Sequence, residues 1–333
     1  MLYVGVDAHR ETSWITLMDE AGAVVKRQCV PSTQEGVRRL LEKYDCPKKA
    51  VLEASYCWGP MYDWLDELTD EVLLAHPLKL RAIAEARIKT DKIDSEMLAH
   101  LLRANLIPEA HAPSKEVRSL KRVLRQRLFF VKVQTMLKNR LMALLAQHSV
   151  QRPEVSDLYG KSGLEWLRGL ELPEPDGEIL REDLALLEVV WERIAATEAL
   201  IQRLSEGDEV VKWLESLPGI GEFFSVLIRY EVDDIGRFRD AKKFASYTGL
   251  VPSTYRSALK VAHGRLTKQG NKWLRWAFVE AVTPAVRCSP WIRGYYERLK
   301  ARRGAKDART ATARKLAELV WKVWTERRCY EEW

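Results

Sequence analysis

Cysteine is scarce and scattered. The five residues, Cys29, Cys46, Cys57, Cys288 and Cys329, are odd in number and form no C-x-x-C pair, which argues against a disulfide framework or a thiolate zinc site and fits a reducing compartment. Long apolar runs are missing as well. The strand-like opening Leu2 to Val6 meets a charge at Asp7, so no secretory core is expected there, and no later run is long enough to span a bilayer. A P-loop is also lacking, so nothing points to triphosphate-driven chemistry. The expectation is a cytoplasmic protein with no membrane partner.

What is present is a folded composition with an uneven charge. Of 333 residues, 47% are apolar, enough for two or three domains. Lys plus Arg number 54 against 47 Asp plus Glu, a net +7. Acids gather early and bases come in blocks, so the distribution says more than the sum.

Leu2 to Val6, Ser13 to Met18 and Val24 to Val30 read as three antiparallel strands, the last two joined by a turn at Asp19-Glu20-Ala21-Gly22. A helix from Gln34 to Tyr44, a strand from Ala50 to Leu52 ending on Glu53, a helix from Pro60 to Leu68 and a strand from Val72 to Ala75 follow. The order predicts a fourth strand parallel to the first. Asp7 and Glu53 then close neighbouring parallel strands, where open α/β sheets receive ligands. Lys89-Thr90-Asp91-Lys92-Ile93-Asp94 opens a helix expected to run to Asn105; its two carboxylates share one face. Singly, these acids read as a helix cap, a turn residue and a solvated strand end. Together, Asp7, Glu53, Asp91 and Asp94 read as a site for Mg²⁺, whose hard oxygen chemistry relieves their repulsion.

Ser114 to Gln147 carries an apolar stripe at helical spacing, with a basic face that includes Arg118, Lys121, Arg122 and Arg125. A one-sided run suits a phosphate backbone better than a merely solvated face. A breaker-rich connection over 151–177 leads to a second long helix from about Ile179 to Leu204. The pair reads as an antiparallel hairpin or a dimerising coiled coil. Leu217-Pro218-Gly219-Ile220-Gly221 resembles the hairpin of helix-hairpin-helix modules, in which glycines admit a phosphate to backbone N–H groups; a plain turn has the same composition. Beyond Gly249-Leu250-Val251-Pro252, the residues Arg256, Ser257, Lys260, His263, Arg265, Lys268 and Lys272 lie in a stretch with no acid between Arg256 and Arg275. A serine in such a cationic field suits phosphoryl transfer, although composition alone favours a loop serine bonded to its own backbone. Further bases alternate with Trp273, Trp276, Trp291, Tyr295 and Tyr296, which stack bases or fill a core.

These motifs together resemble a known family. Val4-Gly5-Val6-Asp7, Leu52-Glu53-Ala54 and Lys89 to Asp94 look like the DEDD motif of insertion-sequence transposases whose N-terminal domain is RuvC-like, of ribonuclease-H type. Leu217 to Gly221, Gly249 to Pro252 and Thr267-Lys268-Gln269-Gly270-Asn271 resemble that family's C-terminal domain. The resemblance implies an α/β ribonuclease-H-like domain over 1–112, a long-helix or coiled-coil region over 113–206, and a mainly α-helical serine transposase domain over 207–333.

It further implies a DNA recombinase guided by an element-encoded bridge RNA that pairs with donor and target DNA. Ser257 matches the family's nucleophile, and Asp7, Glu53, Asp91 and Asp94 match its Mg²⁺ ligands. The assembly implied is a dimer or tetramer in the prokaryotic cytosol or nucleoid, with each active site shared between subunits. Arg118, Lys121, Arg122, Arg125, Gly219, Gly221, Arg256, Lys260, Arg265, Lys268 and Lys272 are the expected nucleic-acid contacts. Ala258 stands where the family commonly has Gly, and Ser55-Tyr56 where it commonly has Thr-Gly. The rival readings are a metal-dependent nuclease or Holliday-junction resolvase that uses the carboxylates alone, and a non-catalytic RNA-binding protein.

Overall fold

The computed structural model describes residues 1–83, 91–257, 260–266 and 269–331, with the backbone alone for 253–257 and 260–265. The chain divides into two compact units, 1–112 and 113–333. Residues 113–206, set apart by the sequence as a region of their own, fall in the second unit together with 207–333.

The first unit opens with a meander of β1 (Leu2–Ala8), β2 (Thr12–Met18) and β3 (Val24–Pro31). The turn between the last two closes on Asp19, whose carboxylate accepts from the Ala23 N–H at 2.8 Å. Then come α1 (Gln34–Leu41), β4 (Lys48–Glu53), α2 (Trp58–Leu68), β5 (Glu71–Ala75), α3 (Pro77–Ile83), α4 (Asp91–Arg103) and β6 (Glu109–Ala110). Thr33 caps α1 by accepting from the Gly36 N–H. Helix α4 stops two residues short of Asn105, which takes a left-handed φ of 54°, a conformation that asparagine tolerates and a helix does not.

The sheet order is β3-β2-β1-β4-β5-β6. Strand β4 lies parallel to β1, with Val6 opposite Leu52, as the connection after the meander predicts. The two-residue β6 pairs antiparallel with β5; it is too short to show a sequence period. Alternation along each strand separates the two faces. Val4, Val6, Ala8, Ala50 and Leu52 point into one core with Val37, Leu40, Met61 and Leu65 of α1 and α2. Val51 and Ala75 point to the opposite core with Leu98, Leu101 and Leu102 of α4. By the same parity Gly5, Asp7 and Glu53 belong to the α4 face.

Gly5 lets α4 sit directly on the sheet. A Cβ built there meets the Ser95 carbonyl oxygen and lies 2.6 Å from the Ala99 amide nitrogen, both backbone atoms that cannot rotate aside. Beside it the buried hydroxyls of Thr16 and Ser95 are 2.8 Å apart, so β2 and α4 share a hydrogen bond inside an otherwise apolar contact.

The second unit contains α5 (Lys115–Gln147), α6 (Lys161–Arg168), α7 (Asp176–Leu204), α8 (Glu209–Glu215), α9 (Glu222–Val232), α10 (Ala241–Tyr247), β7 (Pro252–Ser257), β8 (Lys260–Leu266), α11 (Lys272–Cys288), α12 (Pro290–Arg303) and α13 (Ala305–Glu326). Ser114 caps α5 by accepting from the Val117 N–H at 3.3 Å. Helix α7 starts at Asp176, three residues before the expected Ile179, and α6 lies inside the stretch read as a connection. The ion pairs Arg127–Glu198, Arg140–Asp183 and His148–Asp176 ascend α5 as they descend α7. The two helices therefore form an antiparallel hairpin. The single stripe of α5 serves two cores: Leu137, Leu141 and Leu144 pack with Leu180, Leu184 and Leu187 of α7, whereas Leu120, Leu124 and Leu128 pack with Val226, Leu227 and Ala277 of α9 and α11. A third core joins α8 to α13 through Phe244, Phe278, Leu316 and Val320. No described helix is long and apolar enough to cross a membrane.

The Gly5→Ala variant is expected to lose about 1–3 kcal/mol of stability, the usual cost of forcing an extra carbon into a packed contact, and to move α4 with its carboxylates away from β1. Urea unfolding monitored by circular dichroism measures the first effect, and Mg²⁺-dependent protection of the amides of α4 in hydrogen exchange measures the second.

Candidate active site

At the α4 face of the first unit, Asp7 is the penultimate residue of β1, and His9 follows directly after the strand ends at Ala8. The His9 Nε2 lies 3.1 Å from Asp7 Oδ2 and 3.5 Å from Asp91 Oδ2. Ligand atoms of Asp7, His9 and Asp91 all fall within 4.8 Å of one another. Asp94, three residues after Asp91 on α4, is close enough to act electrostatically on Asp7. Glu53 ends β4 one step beyond the Val6–Leu52 pair; its carboxylate, like that of Asp94, lies outside the triad.

Among the described residues the cluster therefore holds two of the four expected carboxylates, Asp7 and Asp91, together with the His9 imidazole, and Asp94 acts on Asp7 electrostatically. His9 was missed in the sequence. Its available signal was the Asp7-x-His9 spacing, which continues the two-residue period of β1 one step past the end of the strand. Lys89 and Thr90 lie outside the described residues.

Burial raises the Asp7 pKa above its ordinary 3.8; neighbouring His9 works against the rise, and Asp91 and Asp94 add to it. A carboxylate held between burial and two further acids is stabilised by a cation beside it. The oxygen donors of Asp7 and Asp91 suit a hard divalent ion such as Mg²⁺, and the His9 nitrogen extends the set toward Mn²⁺.

In the second unit Ser257 ends β7, opposite Lys260 in register with β8, and Arg256 lies opposite Val261. Arg265 is in β8 and Lys272 begins α11. The expected loop around Ser257 is therefore a two-stranded ribbon; Ala258 and Lys268 lie outside the described residues. Asn271 anchors the far end of this segment. Its backbone N–H donates to the Tyr247 carbonyl at 2.9 Å, its side-chain oxygen caps α11 through the Trp273 N–H at 2.9 Å, and its amide nitrogen donates to Glu231 at 2.8 Å.

Glu231 is only 1% exposed, and Arg125 donates to both its oxygens at 3.0 and 3.1 Å. Arg125, read from the sequence as a phosphate contact, is thus engaged by an acid from α9. Lys121 turns partly inward beside it; burial lowers its pKa, while Glu231 and Asp233 oppose the fall. Arg118 donates to the Pro113 carbonyl at 3.1 Å, and Arg122 to the Ser119 hydroxyl at 2.8 Å. The basic face of α5 is accordingly less free than one helix viewed alone suggests, because its counter-acids come from α7 and α9.

The Leu217–Gly221 turn packs against α11. Gly219 has φ of 80°, and a Cβ there meets the Ala281 carbonyl and lies 2.7 Å from the Ala285 amide nitrogen. Its glycine is required by packing on α11. The adjoining groove carries Glu215, Glu222 and Glu280 against one cation, Arg127, which is itself paired with Glu198, a charge balance that disfavours phosphates. Gly221 precedes α9 as its N-cap in extended backbone.

Comparison with known proteins places these features in a family. Residues 4–150 match the DEDD_Tnp_IS110 transposase family, and residues 211–297 match the family described as Transposase IS116/IS110/IS902. The chain belongs to the IS110/IS116 family of insertion-sequence transposases. A probable family 20 transposase of Pseudomonas aeruginosa is 28% identical to it over 346 residues, covering 98% of each chain. The transposase of insertion sequence element IS1111A from Coxiella burnetii is 22% identical over 341 residues, covering 98% of this chain and 90% of that protein. The transposase of IS1533 from Leptospira borgpetersenii is 26% identical over 71% of this chain. The DEDD domain of this transposase family implies a divalent metal, and all three members of the triad fall within the matched segment.

Two outcomes follow from these electrostatics. Because burial lifts the folded Asp7 carboxyl above its ordinary value, its protonated form contributes stability at low pH that is lost as pH rises through the raised value. Asp7→Asn, neutral throughout, is expected to melt higher than the parent at neutral pH in metal-free buffer, with the gap closing in acid. It should also lose the stabilisation given by Mg²⁺, about 2.7 kcal/mol in the parent at a hundredfold excess over Kd; melting curves with and without Mg²⁺ across pH read both. Arg125→Ala is expected to cost roughly 1.5–3 kcal/mol by removing a charged hydrogen-bond partner from buried Glu231, measured by urea unfolding.

Proposed function

We propose that this transposase joins donor and target DNA through a covalent phosphoserine at Ser257, with Asp7, Glu53, Asp91 and Asp94 as the Mg²⁺-binding acids of a ribonuclease-H-like first unit. The observation that carries the reading is the meeting of Asp7 and Asp91 on the α4 face, with Asp94 acting on Asp7, within a segment matched by the DEDD transposase family. The stretch from Arg256 to Arg275, free of acid, supports Ser257 as the nucleophile, since added negative charge on phosphorus is stabilised by surrounding cations.

Ser257 Oγ attacks the scissile phosphorus. The Oγ–P bond forms as the bond to the leaving DNA oxygen breaks, the serine proton passes to a base, and the leaving oxygen takes up a proton. A second DNA hydroxyl then reverses these steps and frees the serine, so the energy of the DNA linkage is kept and no triphosphate is consumed. A bound divalent ion supplies positive charge to the phosphodiester oxygens. Asp7, Asp91, Asp94 and Glu53 would hold that ion, and His9, between Asp7 and Asp91, would orient their oxygens. Target choice is made by base pairing to an element-encoded bridge RNA, with the protein holding backbones and RNA shape; the working form is a dimer or tetramer.

The test is to incubate the protein with element RNA, Mg²⁺ and labelled donor and target DNA, then to digest and search for a DNA-linked peptide. An adduct on the Ser257 peptide is expected in the parent and absent from Ser257→Ala, with strand joining reduced at least ~10³-fold, as is usual when a nucleophile is removed. Undiminished cleavage by Ser257→Ala with no adduct in either protein assigns the reaction to the carboxylates alone, as in a nuclease or junction resolvase.

A further inference from the structure

A second groove of the second unit has a chemistry unlike the glutamate-rimmed one beside Gly219. It occupies about 680 Å³ between α5 and the start of α11, and Lys132, Thr135, Asn139, Lys272, Trp273 and Trp276 are among its lining residues. None of its lining residues is acidic. Lys132, Thr135, Asn139 and Lys272 are exposed, whereas the two tryptophans are half-buried. Among the described residues neither Lys132 nor Lys272 makes an ion pair.

Three cations crowd one ring here. The Lys272 Nζ is 4.8 Å, the Lys132 Nζ 5.6 Å and the Arg125 Cζ 5.8 Å from the Trp273 centroid. All are within cation–π range, yet they repel one another, and Arg125 alone of the three has a carboxylate partner. An anion entering the groove relieves that repulsion. The backbone that carries the ring is fixed: the Trp273 backbone N–H donates to the Asn271 side-chain oxygen at 2.9 Å, and the Asn271 amide donates in turn to buried Glu231 at 2.8 Å. Trp276 is anchored from behind by an edge contact to Phe224 at 5.4 Å. A half-buried indole flanked by two exposed lysines, with an amide and a hydroxyl nearby, matches a nucleotide: the base stacks on the ring and the lysines turn to its flanking phosphates.

We propose that this groove binds unpaired nucleotides of a single-stranded nucleic acid, with Trp273 as the stacking platform and Lys132 and Lys272 as the phosphate contacts. A duplex is a poor occupant, since its base faces are covered by their own neighbours. The inference rests on reading the chain as a nucleic-acid enzyme but is independent of the serine chemistry.

The experiment uses the full chain with fluorescent oligouridine, oligothymidine, a mixed-sequence duplex and polyglutamate, and with oligonucleotides carrying 5-iodouracil for photocrosslinking. Trp273→Ala is expected to weaken single-strand binding by roughly 5- to 150-fold, the loss typical of one stacked base, with duplex binding within about twofold of the parent. Lys132→Ala with Lys272→Ala should lower the slope of log K against log salt by about 1.4, and the crosslink should map to the Trp273 peptide. Preference for oligouridine over oligothymidine assigns the strand to RNA, and the reverse assigns it to DNA. Unchanged single-strand affinity in folded Trp273→Ala, an equal loss on the duplex, or preferential capture of polyglutamate overturns the site.

If Trp273→Ala fails to fold, Trp273→Phe and the lysine pair decide: a reduced slope with the crosslink retained on the ring supports the site, and an unchanged slope overturns it. Ser257→Ala should bind the strands as the parent does. Loss of the serine adduct reading with intact oligonucleotide binding therefore removes the proposed chemistry and leaves the groove.

Discussion

The close approach of α4 to β1 at Gly5 governs the chemistry of the first unit. With no Cβ in the way, the backbone at Ser95 and Ala99 seats on the strand, and the first turn of α4 brings Asp91 and Asp94 toward Asp7. The same parity that places Gly5 beneath the helix places Asp7 two residues later on the same face. One steric vacancy thus sets both the packing of a layer and the spacing of the acids. The Thr16–Ser95 hydrogen bond adds direction to a contact that apolar packing alone leaves free to slide.

The resulting site is electrostatically poised. Burial and neighbouring acids disfavour charge on Asp7, and His9 between Asp7 and Asp91 partly offsets them. A divalent cation satisfies the same carboxylates more fully than an imidazole does, which links ion binding to the stability of this face.

In the second unit one buried carboxylate does comparable work. Glu231 gathers Arg125 from α5 and Asn271 from the cap of α11, so the start of α11 and the Trp273 ring that follows it are held against the basic helix. Pairing inside the unit removes Arg125, Arg127 and Arg140 from the cationic face. Lys132 and Lys272 are left beside an aromatic surface in a groove without acid, a concentration of charge that the composition does not reveal.

Much of this was legible along the chain. The meander, the parallel return of β4 and the placement of Asp7 and Glu53 follow from strand period and connection order, which are local properties. The long helices follow from their 3.6-residue stripe and from the cap at Ser114. The DEDD spacing and the motifs after Leu217 were equally readable, since a motif is a matter of order. Only the tertiary structure decided which side chains meet. His9 joined Asp7 and Asp91 while Glu53 stayed outside the inner set, because strand register fixes which backbones are neighbours and not which side chains meet beyond the strand ends. Gly219 proved to serve a helix contact, and Arg125 proved to serve Glu231, because their partners lie far away in the chain. Charge and glycine are visible in a sequence; what they face is determined by packing between distant segments.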